Sequence, residues 1–134
     1  MSIIKFRAWD DSISTMRSWE ELLSKNRDGQ SYYGLISIFN GENHHYHLER
    51  FTELYDRDKV EIYENDIVGC NGHYEGDYFC SGYIGVVTMQ DGEWIVIEQK
   101  DKDRKCNGLW DVVNVYNGRV VGDIHHNTHM EKKQ

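Results

Sequence analysis

A chain of 134 residues, 39% hydrophobic and 28% charged, has enough apolar surface to fold as one domain or two small lobes, which excludes global disorder. Its net charge of −8 repels phosphate, so direct nucleic-acid binding is disfavoured and basic proteins become the natural charged partners. No apolar run approaches the ~20 residues that span a bilayer, and Lys5 follows Ile3-Ile4 too early for a signal-peptide core, so a cytosolic protein with no membrane partner is expected.

Ile4, Phe6 and Ala8 alternate with Lys5, Arg7 and Trp9, the period of a half-buried strand. The polar turn Asp10-Asp11-Ser12 ends it, and Ile13 to Met16 returns as a partner strand. Ser18 followed by Glu21 forms a capping-box pattern before Leu22-Leu23, which predicts a short helix from Trp19 to Lys25. Tyr32 to Phe39 is rich in strand formers. Asn40-Gly41 follows it as a hairpin signal, with His45 to Leu48 as the return strand. Phe51 to Lys59 reads as a charged connection. Val60 to Tyr63 and Ile67-Val68 resume extended character. Gly69 to Gly82 carries four glycines, two cysteines and several aromatics, the mark of an exposed loop or irregular hairpin.

Gly85 to Met89 and Trp94 to Ile97 flank Asp91-Gly92, a second hairpin signal. Gln99 to Lys105 is polar. Val112 to Tyr116 and Arg119 to Ile124 flank Asn117-Gly118, a third hairpin signal. The polar tail from Asn127 is expected to fray. Three such signals predict a mainly β fold with one short helix, built on an antiparallel sheet or barrel.

Three blocks carry a family resemblance. Ile4-Lys5-Phe6-Arg7-Ala8-Trp9-Asp10 matches the opening "IKFRAWD" of the YopX proteins of bacteriophages and prophages. Phe51 to Asp56 and Glu61 to Val68 resemble that family's "TGLKDKNGKEIYEGDIV", and Val120 to Asn127 is similar to its "VIGNIYENPEL". The resemblance implies a mostly β, phage-encoded protein and brings no activity or catalytic residues with it. Glu53 and Asn65 stand where the family pattern has glycine, and Thr128 where it has proline. Asn holds a left-handed backbone readily and Glu less so, so residues 52–60 are expected to differ in shape. By analogy, residues 1–52 form an N-terminal β lobe and residues 53–134 an SH3-like small barrel.

The chemistry-bearing residues are sparse. His44, His45 and His47, with His125, His126 and His129, invite a metal reading, with Cys70 or Cys80 as further ligands. Residues two apart on a strand face one way, so His45 and His47 can act together. Zinc sites show tighter spacing, and surface imidazoles are the expectation. Cys70, Cys80 and Cys106 read as thiols in a reducing compartment. Glu64 and Asp66 can pair as carboxylates, but a solvated turn is the simpler reading. No nucleophile elbow, phosphate loop or dinucleotide fingerprint appears. No catalytic residue, metal or cofactor is therefore expected.

Tyr74, Tyr78, Phe79 and Tyr83 are interleaved with Glu75 and Asp77 rather than with lysine or arginine. Rigid rings beside carboxylates suit a basic protein surface better than a nucleic acid. These six residues form the expected partner-binding site. The expected function is that of an acidic accessory protein in the bacterial host cytoplasm. It inhibits or modulates a nucleic-acid-handling host or phage protein, such as a defence nuclease or transcription factor. The alternatives are a metal-dependent hydrolase using the histidines, or a nucleotide- or nucleic-acid-binding small barrel. A homo-oligomer stays open.

Overall fold

A computed structural model describes residues 4–24, 45–70, 73–75, 77–80, 82–98 and 106–126. The expected strand over 32–39, the Asn40-Gly41 turn, the polar run 99–105 and the tail from Asn127 lie outside them. The chain divides into two compact units, Met1–Phe51 and Thr52–Gln134. Among the described residues the fold is mainly β, with curled antiparallel sheets, a half-barrel and two short helices.

In the first unit, β1 (Phe6–Asp10) pairs antiparallel with β2 (Thr15–Arg17) and with the start of β3 (Tyr46–Tyr55). Ala8 and Leu22 form its buried core, with Trp19, Tyr46 and Leu48 packed against them. Helix α1 (Trp19–Ser24) starts where the capping box predicts. The Glu21 amide donates to Ser18 Oγ at 3.1 Å and the Ser18 amide to Glu21 Oε1 at 3.3 Å. Two end donors are satisfied reciprocally. Arg7 and Glu49 stand opposite each other in register. The Arg7 Nε donates to Glu49 Oε1 at 2.8 Å, so the fully buried Glu49 is paired, as a buried charge requires.

β3 corrects the expected connection over 51–59, because the strand runs on to Tyr55. Phe51 and Thr52 are buried, and Glu53, one of the charges that suggested a loop, is exposed in the same strand. In the second unit β4 (Glu61–Tyr63) neighbours β3. A five-stranded antiparallel sheet follows in the order β10 (Cys106–Gly108), β9 (Glu93–Glu98), β8 (Tyr83–Gln90), β5 (Asp66–Cys70), β11 (Arg119–Asp123). Asp91 and Gly92 both take positive φ, at 52° and 82°, and Gln90 pairs with Glu93. This is the tight two-residue hairpin that Asp-Gly predicts. Between β5 and β8 rises a two-stranded hairpin, β6 (His73–Glu75) and β7 (Tyr78–Cys80).

The third expected hairpin is absent from this part of the fold. Residues 109–114 form helix α2 (Leu109–Asn114), and β11 pairs with β5 instead. Leu109, Val112 and Val113 are buried, an i, i+3, i+4 stripe that seats the helix on the sheet. They join Ile62, Val68, Val87 and Val96 in one core. Asn117 takes φ 59° and turns the chain out of the helix. The Gly118 amide donates to the Val112 carbonyl at 2.8 Å. A Cβ on Gly118 would lie 2.9 Å from Val112 Cγ1 and 3.1 Å from Val68 Cγ1, so glycine is required there by close approach.

Both residues that replace the family's glycines keep a left-handed backbone, with φ 70° at Glu53 and 71° at Asn65. The expected change of shape at Glu53 is thus resolved as strain. A non-glycine residue there costs about 1–2 kcal/mol, of which glycine's own entropy returns roughly 0.5–1 kcal/mol. Glu53→Gly should therefore raise stability in urea unfolding by about 0.5–1 kcal/mol. Asn65→Gly should be nearly neutral, because Asn tolerates this conformation. A loss of stability in Glu53→Gly would show that the Glu53 side chain contributes more than its strain removes.

Candidate functional site

One buried carboxylate organises the edge of the second unit. Asp56 follows β3 and is 6% exposed. Its Oδ1 accepts the amides of Asp58 at 2.8 Å and Val60 at 2.9 Å, closing the turn into β4. Its Oδ2 accepts the Val120 amide of β11 at 2.9 Å. Beside it, the Arg57 amide donates to the Gly118 carbonyl at 3.4 Å. The edge of β11 is thus clasped by the β3–β4 turn.

The clasp sets Arg57 beside the start of β11, where Arg119 stands. Both arginines line an open cleft of about 270 Å³ together with Gly69, Cys70, Ile84, Asn117 and Val121. Strand register explains the hollow. Ile84, Gly69 and Arg119 occupy one row across β8, β5 and β11. Directly opposite residues share a face, and the middle one lacks a side chain. The pairing of β11 with β5 shifts between Val120 and Gly122. A bulge of this kind re-aims a side chain, and Val121, 44% exposed, joins the lining. Sequence reading missed this cleft, because its two cations lie on opposite sides of the unit's sequence.

Five of the six expected partner-binding residues map to the β6–β7 hairpin. Tyr74 pairs with Phe79 and Glu75 with Tyr78. Asp77 lies at the turn and is exposed. Tyr83 opens β8 and pairs with Cys70, the residue at which β5 ends and the cleft begins. The segment is therefore a paired hairpin, the second of the two readings its sequence allowed, and it stands next in chain to the cleft.

The histidines serve their neighbouring carboxylates. His45 and His47 do share a face, as their spacing predicts. His47 Nε2 lies 2.8 Å from Asp11 Oδ2, and His45 Nδ1 lies 3.5 Å from Asp11 Oδ1. The hydrogen bond from His47 is the main reason that the Asp11 carboxyl sits below its ordinary value. Asp123 accepts the His125 and His126 amides at 2.9 and 3.0 Å, and His126 Nδ1 lies 2.9 Å from its other oxygen. Burial alone pushes the Asp123 carboxyl up, but these bonds outweigh it and hold the group below the usual carboxylate value. Asp66 is buried and accepts the Tyr63 amide at 2.8 Å, so it braces the turn at Glu64-Asn65. Among the described residues no group of three or more His, Cys, Asp or Glu has the placement to hold a metal. His44 and His129 lie outside those residues.

Two exposed apolar residues were also not anticipated. Trp110 and Val115, 59% and 52% exposed, lie on and just beyond α2. Among the described residues no helix is long and apolar enough to cross a membrane.

A protein-family model described as YopX protein matches residues 5–130. The crystal structure of protein EF1440 from Enterococcus faecalis is similar, with 18% identity and a TM-score of 0.60. The match covers 98% of this chain and 99% of that one, and it shows a shared fold. No curated protein matches the chain.

The Asp123 bonds carry a pH signature. A carboxylate held below its unfolded value stabilises the fold above that value, about pH 4, and the contribution is lost as pH falls through the lower, folded value. The stability difference between wild type and Asp123→Asn should therefore shrink from about pH 5 to about pH 2 in urea unfolding. A difference that stays constant over that range would contradict the assigned bonds.

Proposed function

Because this chain belongs to the YopX family and is thereby a phage-type accessory protein, we propose that it acts by binding a host or phage protein with a basic surface. The partner is one that handles nucleic acid, such as a defence nuclease or a transcription factor, in the host cytoplasm. Occupying that partner's basic groove excludes the nucleic acid. The β6–β7 hairpin is the contact element. The observation that carries this reading is its paired backbone, which sets Tyr74-Glu75 against Tyr78-Phe79 with exposed Asp77 at the tip. A paired hairpin loses less entropy on binding than a free loop. The net charge of −8 speeds encounter with a basic surface.

Two kinds of substitution should separate anchor from rim in binding kinetics, measured with a partner captured from host lysate and then purified. Tyr78→Ala should raise the dissociation rate and cost roughly 2 kcal/mol or more, the hot-spot range. Asp77→Asn and Glu75→Gln should mainly slow association and flatten its salt dependence. None should shift the melting temperature much, since the hairpin stands apart from the five-stranded sheet in its own pairing. Unchanged kinetics in all three variants would remove the hairpin from the interface. Unfolding of Tyr78→Ala would assign that ring to the core.

A further inference from the structure

From the cleft between the β3–β4 turn and β11, we infer a second binding site, for a small phosphate monoester whose phosphate is gripped by Arg57 and Arg119 and whose apolar or ring-bearing body rests on Ile84 and Val121. This site does not depend on the hairpin or its partner.

Four observations lead there. First, cations are scarce on this chain, with 15 lysines and arginines against 23 acids, yet two guanidinium groups line one small cleft. Second, both are available to a ligand. The Arg57 side chain makes no hydrogen bond or ion pair among the described residues. Among the described residues the Arg119 side chain pairs with Asp58 alone, at 3.8 Å, and those two side chains are 49% and 55% exposed. An ion pair that long and that exposed is worth little and yields readily to a better anion. The other carboxylate of this turn, Asp56, is occupied by three backbone amides. Third, the cleft has an apolar side. Ile84 is half-buried and Val121 partly exposed, so a ligand body has a surface to cover. Fourth, the site has a rigid frame: Arg119 is fixed in the β5–β11 ladder, and Arg57 is tied through its amide to Gly118.

Size and charge decide the ligand class. A cleft of about 270 Å³ sits just under the usual range for small-molecule pockets, about 300–1,000 Å³. A ligand of mononucleotide size or smaller fits. A nucleic-acid strand carries phosphates well beyond the cleft, where the field of a −8 protein opposes it. A monoester places its whole charge between the two arginines, whose planar forks match phosphate oxygens in pairs.

Amide chemical-shift titration of the whole chain tests this with inorganic phosphate, a nucleoside monophosphate and the corresponding nucleoside. Saturable shifts are expected at the Gly69, Cys70, Asn117 and Arg119 amides for both phosphates, with the monophosphate tighter. The nucleoside should leave them unmoved. Arg57→Ala and Arg119→Ala should each weaken monophosphate binding about tenfold or more. Ile84→Ala should weaken the monophosphate while sparing inorganic phosphate. Preserved shift dispersion in the arginine variants shows that they fold, as expected for exposed side chains. The proposal is overturned if neither phosphate gives saturable shifts there, or if the double variant Arg57→Ala with Arg119→Ala binds as wild type does. It is also overturned if a single-stranded oligonucleotide binds more tightly than the monophosphate, which would make the surface a nucleic-acid interface.

Discussion

The edge of the second unit depends on one carboxylate. Asp56 is buried, and a buried charge is tolerable only when its oxygens are matched by donors. Three backbone amides supply that match, from Asp58, Val60 and Val120. Two are local and shape the turn into β4. The third reaches across 64 residues of chain and fixes where β11 begins. Leaving any such donor unpaired costs about 1–3 kcal/mol, so the turn and the strand hold each other in place. Arg57 and Arg119 neighbour the bonded residues, and their meeting in one cleft follows from the clasp.

This geometry places opposite charges on adjacent features of an acidic protein. The β6–β7 hairpin carries Glu75 and Asp77, while the cleft at its foot carries Arg57 and Arg119. Cys70 ends β5 and lines the cleft, and its partner Tyr83 starts the strand that leads away from the hairpin. The hairpin and the cleft therefore share the β5–β8 pair as their base.

Much of the fold was legible in local patterns. The alternation at Phe6 to Asp10, the Ser18/Glu21 cap and the Asp91-Gly92 turn all reappear as β1, α1 and the β8–β9 hairpin. Each of these signals acts within a few residues, so long-range packing had little scope to override it. Asn117-Gly118 misled for a physical reason. The preceding Val112 and Val113 favour strands on propensity, but Leu109, Val112 and Val113 together make a helical stripe that the sheet can bury. Asn117 then uses its positive φ to leave a helix, and Gly118 serves close packing on Val112. The charged run after Phe51 hid a strand because Thr52 is buried while Glu53 beside it is exposed. The glycines of residues 69–82 marked an irregular hairpin, and the β6–β7 pair lies there. The cleft was not legible, because Arg119 meets Arg57 through long-range bonds, from the Val120 amide to Asp56 and from the Arg57 amide to Gly118, and nothing near either arginine announces the other.

The clasp can be observed directly by amide hydrogen exchange at Val120, Asp58 and Val60 in wild type and in the isosteric Asp56→Asn, whose side chain keeps only one acceptor oxygen. In wild type all three amides should be protected. In Asp56→Asn the amides facing the lost oxygen should exchange about tenfold to a hundredfold faster, the equivalent of one missing charged hydrogen bond. Val87 and Val96 in the core should stay protected. Solvent-like exchange at Val120 in wild type, or protection at all three amides unchanged by the substitution, would contradict the central role given to Asp56.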